Sequence, residues 1–274
     1  MNRTRGRVAA MVAALFSIGA VATTVAAEPA TTTRTLSVFA AASLSDAFRE
    51  LGRELEAKTP GLVVRINFAG SQQLVAQMEQ GAVADVFASA DERWMSYAQN
   101  QGLVSGDPAM FAHNKLVLIV PKPNPARIGR LQDLAKGGVK LVIAAETVPA
   151  GRYTRMVIRN LSRTPGFDGD FAPRALRNVV SEEDNVKSVV SKVQLVEADA
   201  GFVYRSDITP AVARYLRIIE IPESANVVAS YPVALMKGGP APEAAKAFVD
   251  LLLSAEGQRV LQQHGLMPVA ANTP

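Results

Sequence analysis

From Thr35 onward the chain alternates between short apolar, β-rich runs and longer stretches in which apolar residues recur three and four apart. Thr35–Ala41, Leu62–Phe68, Ala84–Ala88, Leu116–Val120, Lys140–Ala144, Gly201–Tyr204, Arg217–Ile221 and Val227–Met236 read as strands. Leu44, Ala47, Phe48, Leu51 and Leu55 trace one helix that closes at Thr59-Pro60-Gly61. A short helix carries Leu74, Val75 and Met78 and stops at Gly81; others cover Glu92–Gln101, Tyr153–Leu161 and Val186–Val196, and Ala244–His264 reads as one or two more. Such alternation predicts an α/β fold with mostly parallel sheets flanked by helices. Nothing repeats at a solenoid period. Sheets of this kind bind ligands beyond the carboxyl ends of their strands, so the strand-to-helix junctions are where function is sought.

Composition narrows the chemistry at those junctions. The chain has 274 residues, 49% hydrophobic and 20% charged, enough for one large domain or two ordinary ones with a full core. It has no Cys, which excludes disulfides, thiolate metal sites, a Cys nucleophile and a lipid-modified N-terminal Cys. His113 and His264 are the two His, too few for a His-rich metal centre. Arg3, Arg5 and Arg7 precede an apolar run from Val8 to Val21 and then small residues ending Val25-Ala26-Ala27. That layout reads as a cleavable signal peptide over residues 1–27; its apolar run is shorter than the ~20 residues a spanning helix needs. Removing the three Arg lowers the net charge from +4 to +1, so the electrostatic case for nucleic acid disappears with the leader. No later apolar run reaches membrane length, and the mature chain is expected in an exported compartment. Residues 28–34 and 270–274 read as loose ends.

Four junctions stand out. At Ala41-Ala42-Ser43-Leu44-Ser45-Asp46, Ser43 leaves a strand and opens a helix. Its ordinary role is an N-cap, with Asp46 completing a capping box; its functional role is to face an anion with hydroxyl and amide. Phe68-Ala69-Gly70-Ser71-Gln72-Gln73 repeats the arrangement, and no His is placed to activate Ser71 as a nucleophile. At Thr147-Val148-Pro149-Ala150-Gly151-Arg152-Tyr153 any contact from Ala150 comes through the backbone; seen alone, the segment is an ordinary loop. At Ser181-Glu182-Glu183-Asp184-Asn185-Val186-Lys187 the acids suit a helix N-terminus. Amides near Val186 can serve an anion only if those acids face away. Tyr204, at a strand end beside Arg205 and Asp207, reads as core packing with a hydrogen-bonded tip. Helix N-termini aimed at one point hold a dianion without Lys or Arg, sparing the cost of burying further ions.

At these junctions the sequence resembles the periplasmic molybdate-binding proteins of ABC importers. The likeness runs from Ser37 to Val269 and is carried by Val38-Phe39-Ala40-Ala41-Ala42-Ser43-Leu44-Ser45-Asp46-Ala47-Phe48, Phe68-Ala69-Gly70-Ser71, Gly81-Ala82-Val83-Ala84-Asp85-Val86-Phe87-Ala88-Ser89-Ala90-Asp91, Val148-Pro149-Ala150-Gly151-Arg152-Tyr153, Glu197-Ala198-Asp199-Ala200-Gly201-Phe202-Val203-Tyr204, Tyr231-Pro232-Val233-Ala234-Leu235 and Leu253-Ser254-Ala255-Glu256-Gly257-Gln258, in that order. The resemblance implies a type II periplasmic binding protein: two α/β domains joined by two hinge strands, with the oxyanion in the cleft. It implies donors from Ser43 and Ser71 on one domain, backbone amides of Ala150 and Val186 on the other, and the Tyr204 hydroxyl. Domain one is read as residues 34–115 plus 236–274 and domain two as 116–235, with crossings at Lys115–Pro121 and Ser230–Met236. It further implies a periplasmic receptor that passes molybdate or tungstate to a membrane permease, with no cofactor and no metal bound as a bare cation; with no evident coiled coil or apolar oligomer stripe, a monomer is expected. Gln72 departs from the small residue many relatives have there, and Lys187 beside Val186 suggests long-range attraction of an anion.

A pocket of donors suits molybdate, tungstate or sulfate, whereas hydrogen phosphate carries a proton that wants an acceptor, at a cost of about 1–3 kcal/mol if unpaired. Asp46 and Asp184, which carry acceptor oxygens, stand close in sequence to the proposed positions, so phosphate is disfavoured, not excluded. A serine hydrolase needs Ser43 or Ser71 beside His113 or His264 and an orienting acid. A ferric receptor needs clustered phenolates or carboxylates, and Tyr204 and Tyr231 are not adjacent. A DNA-binding regulator conflicts with the leader.

Overall fold

The computed structural model describes residues 34–269. The leader read at residues 1–27 and the loose end at 270–274 lie outside the described residues, and Arg34 already belongs to the first strand. The chain runs β1 (Arg34–Ala41), a 3₁₀ turn (Ala42–Leu44), α1 (Ser45–Lys58), β2 (Leu62–Ala69), α2 (Ser71–Glu79), β3 (Val86–Ala88), α3 (Glu92–Asn100) and the long β4 (Val104–Pro121). It continues through β5 (Leu141–Ala144), α4 (Pro149–Leu161), α5 (Phe171–Arg177), β6 (Val179–Glu183), α6 (Val186–Gln194), β7 (Ala200–Tyr204), α7 (Pro210–Ala213) and β8 (Leu216–Ile219). It ends with β9 (Val228–Met236), α8 (Pro242–Leu253), α9 (Ala255–Gln263) and β10 (Met267–Pro268).

The strands form one ladder in the order β2-β1-β3-β9-β4-β7-β5-β6, with β8 and β10 also on β4. Within it β1 lies parallel to β2 and β3, and β5 parallel to β6 and β7. β4 and β9 run against every partner, so the ladder is mixed rather than mostly parallel. β4 carries the chain from one half of the ladder to the other, and β9 lies antiparallel beside its first part. Residues 104–115 of β4 pair with β9, and residues 116–121 pair with β7 and β8, so the chain changes halves between Lys115 and Leu116. β9 pairs throughout with β3 and the first part of β4, whereas the sequence reading assigns residues 116–235 to the second domain. The first part of β4 escaped the pattern because Gly106, Pro108 and Asn114 interrupt it; the strand passes Gly106 and Pro108 by a register shift between Ser105 and Ala109, shifts again between Met110 and Ala112, and pairs Asn114 regularly with Ala229. β6 escaped because it is an edge strand with polar Ser181, Glu182 and Glu183.

α1 buries Ala47, Phe48, Leu51 and Leu55, the face its spacing announced. Phe48 meets Phe111 of β4 at 5.7 Å and Phe248 of α8 edge-on at 5.4 Å, joining three elements in one aromatic contact. Across the ladder's two halves, Gln72 Nε2 donates to the Asp184 carbonyl (2.8 Å), Trp94 Nε1 donates to the Thr147 carbonyl (2.8 Å), and Arg152 pairs with Asp91 (3.2 Å). Lys187 of α6 lies between Asp46 of α1 (3.0 Å) and Asp207 (3.4 Å). Burial works against the ammonium of Lys187, but the two carboxylates outweigh it and its pKa is raised. Burial raises the Asp207 carboxyl despite Lys187, whereas at half-exposed Asp46 the ammonium prevails and the pKa is lowered.

Phe48→Ala is expected to lower unfolding free energy by about 3–5 kcal/mol in chemical denaturation. Lys187→Ala removes the cation facing fully buried Asp207, which then binds its proton more tightly when folded than when unfolded. Stability of that variant is therefore complete below the ordinary carboxylate pKa and falls as pH rises through the elevated one. Denaturant midpoints taken at mildly acidic and mildly alkaline pH are expected to show the deficit against the parent widening with pH.

Candidate functional site

Ser43, Ser71, Ala150, Val186 and Tyr204 all line one cavity, with Ala41, Ala42, Ala69, Gly70, Ala90, Val148, Pro149 and Asn185 completing its wall. Each of the five stands at or just beyond the carboxyl end of a parallel strand: β1, β2, β5, β6 and β7 in turn. The cavity encloses about 220 Å³ free of atoms, open mouth included, and no Lys, Arg, His, Asp or Glu is among its lining residues.

Local structure explains the donors. Ser71 is the first residue of α2, Ala150 the second of α4 and Val186 the first of α6. Amide hydrogens in a helix's first turn have no partner within the helix, and the helix dipole gives that end a partial positive charge. Pro149 begins α4 without sacrificing a bond, because it has no amide hydrogen. Asn185 caps α6 by accepting from Ser188 N–H at 3.1 Å, leaving the earlier amides unclaimed by the cap. Glycine permits the close approaches. A Cβ on Gly70 would lie 2.6 Å from the Asp184 carbonyl oxygen, and one on Gly151 would overlap the carbonyl oxygens of Ala144 and Ala145.

The hydroxyls follow a different course from the capping role the sequence suggested. Ser43 sits inside the 3₁₀ turn and makes no cap bond; α1 starts two residues later, and the Ser43 Oγ lies 3.0 Å from the Tyr231 hydroxyl. Ser71 Oγ accepts the Ala90 amide hydrogen at 3.0 Å. Tyr204 is buried, yet its hydroxyl oxygen has no hydrogen-bond partner among the described residues, contrary to the bonded tip expected of it. Native proteins rarely leave such a group unpaired. Burial, then the neighbouring phenol of Tyr231, pushes the Tyr204 pKa well above the ordinary value, so it stays a neutral donor.

Charges near the site turn elsewhere. Glu182 pairs with Arg155 (2.6 Å), Glu183 with Lys192 (2.6 Å), and Lys187 with Asp46 and Asp207, so Lys187 serves carboxylates within the protein rather than facing the cavity. Gln72 reaches across to Asp184 and is not part of the wall. Asp91 caps α3 through Trp94 N–H; burial raises its carboxyl above the ordinary range, only partly offset by that bond and by Arg152. Neither His approaches Ser43 or Ser71: His264 lies 2.8 Å from Glu50 and His113 lies 3.4 Å from Ser230. Tyr204 and Tyr231, apart in sequence, meet edge-on at 5.8 Å, and burial raises both phenols. Sequence reasoning gave no role to Ala90 or Tyr231. Ala90 follows a strand end with Ser89, the same pattern as the other junctions, and was open to discovery; Tyr231 reaches Ser43 from β9, and no local pattern signals that.

Comparison with known proteins bears on this arrangement. The family model described as bacterial extracellular solute-binding protein matches residues 36–267. The molybdate-binding protein ModA of Mycobacterium tuberculosis (strain H37Rv) is 39% identical over 239 residues, 87% of each chain. That of Escherichia coli K12 is 29% identical over 238 residues, 84% of this chain and 88% of the relative. Among solved structures, the periplasmic molybdate-binding protein of Azotobacter vinelandii superposes with a TM-score of 0.73 at 23% identity, over 86% of this chain and 100% of that one. At that identity the likeness establishes the shared α/β architecture of periplasmic binding proteins. With a strand-end cavity of this kind and a family match across nearly all its described length, the chain belongs to the bacterial extracellular solute-binding proteins.

Proposed function

We propose that the protein is the receptor of an ABC importer for molybdate, with tungstate as a second ligand, and that Ser43, Ser71, Ala150, Val186 and Tyr204 hold the oxyanion. The observation that carries this reading is the cavity itself, where five uncharged donor positions surround a small space whose one phenolic hydroxyl has no partner among the described residues. Donors without acceptors suit a fully deprotonated dianion, and Asp46 and Asp184, the acids nearest in sequence, are absent from the wall. The names of the relatives favour molybdate over sulfate. The two halves of the ladder act as lobes that divide between Lys115 and Leu116 and ahead of Val228, and they part to admit and release the ion. The receptor is a monomer, exported through the leader at residues 1–27 into the periplasm; it catalyses no reaction, binds no cofactor or nucleic acid, and hands its cargo to a membrane permease.

Calorimetry on residues 28–274 with molybdate, tungstate, sulfate and phosphate tests the reading. Binding of the first two without the others is expected; sulfate binding without molybdate would overturn the assignment. Ser43→Ala, Ser71→Ala and Tyr204→Phe are each expected to weaken molybdate binding by about 1–3 kcal/mol, the worth of a hydrogen bond to a charge. Unchanged affinity in all three would remove the site. Trp94, the single Trp, bonds across the halves, so its fluorescence is expected to shift on adding molybdate and to stay constant if the halves do not move.

A further inference from the structure

Behind Ser43 lies a buried polar chain that the oxyanion reading does not use. Asn114, Ser206, Tyr231 and Ser43 are all buried. Asn114 stands on β4 just before the chain changes halves, Tyr231 on β9, and Ser206 in the turn after β7. The Asn114 side-chain oxygen accepts the Lys115 amide hydrogen at 3.0 Å, which fixes the side-chain amide with its NH₂ toward the chain of hydroxyls. One of those hydrogens goes to Ser206 Oγ (2.8 Å) and the other toward the Tyr231 hydroxyl (3.4 Å). Ser206 passes its own proton to the Ser43 carbonyl (3.4 Å). An amide NH₂ only donates, so Tyr231 accepts from Asn114 and has its proton left for Ser43 Oγ, 3.0 Å away. Ser43 thereby receives a hydrogen bond and retains one proton to give.

We propose that Asn114 and Tyr231 are positioning residues that hold the Ser43 hydroxyl as a donor toward the cavity, and that this orientation excludes oxyanions carrying a proton. The inference rests on the oxyanion reading above. At Ser71 the same ordering comes from the Ala90 backbone amide, which cannot reverse. At Ser43 it comes from a phenol, whose hydrogen bond reverses once its own donor is removed. Without Tyr231's proton, Ser43 is free to turn a lone pair to the cavity and accept from a protonated anion.

The test compares molybdate with hydrogen arsenate, a tetrahedral dianion bearing one proton, by calorimetry on residues 28–274. The parent is expected to bind molybdate and reject hydrogen arsenate. Tyr231→Phe is expected to narrow the molybdate-to-arsenate affinity ratio by about tenfold, the value of one hydrogen bond. In the double variant Ser43→Ala with Tyr231→Phe that narrowing disappears, a result that a merely structural role for Tyr231 does not produce. Asn114→Ala narrows the ratio in the same sense and serves if Tyr231→Phe does not fold. An unchanged ratio in the single variants, or narrowing that persists without Ser43, overturns the inference. So does a parent that takes both anions alike. A parent that binds no oxyanion at all fails the oxyanion reading itself, and the inference falls with it.

Discussion

A small space beyond the ends of five strands, with no Lys, Arg, His, Asp or Glu among its lining residues, is the constraint from which the rest of the site follows. Helix N-termini supply partial positive charge without ions that must themselves be desolvated. Three α-helices and a 3₁₀ turn begin at this one point because their strands end there. The arrangement needs backbones at close quarters, which is why Gly70 and Gly151 occupy places where a side chain would strike neighbouring carbonyls. The charged groups that accompany the junctions are spent on one another: Lys187 on Asp46 and Asp207, Arg152 on Asp91, Arg155 on Glu182.

Those ion pairs do a second job. Lys187–Asp46 and Arg152–Asp91 run between the halves of the ladder, as do the bonds from Gln72 and Trp94. These four contacts between the halves are polar, and polar contacts exchange for water at modest net cost.

The alternation of strand and helix was legible because period-two and period-3.6 patterns survive in single sequences, and the junctions were legible because small residues and Ser cluster at them. Partnership between distant segments was not. Ser43 looks like a helix cap from its neighbours alone, yet a hydroxyl 188 positions away claims it. β4 extends far beyond Leu116–Val120 because its early residues are held by pairing with β9, not by their own propensity. Lys187 looks like an attractant for anions until the fold brings Asp46 and Asp207 to it. Tyr204 looks like a core residue with a bonded tip, and the fold leaves that tip without a partner among the described residues.

A crystal of residues 28–274 grown with molybdate, with the metal located by its anomalous scattering, tests the central claim most directly. The account predicts one molybdenum peak in the cavity, its oxygens within hydrogen-bond distance of Ser43, Ser71, Ala150, Val186 and Tyr204 and of no charged side chain. A peak elsewhere, or one coordinated by Lys or Arg, would contradict it.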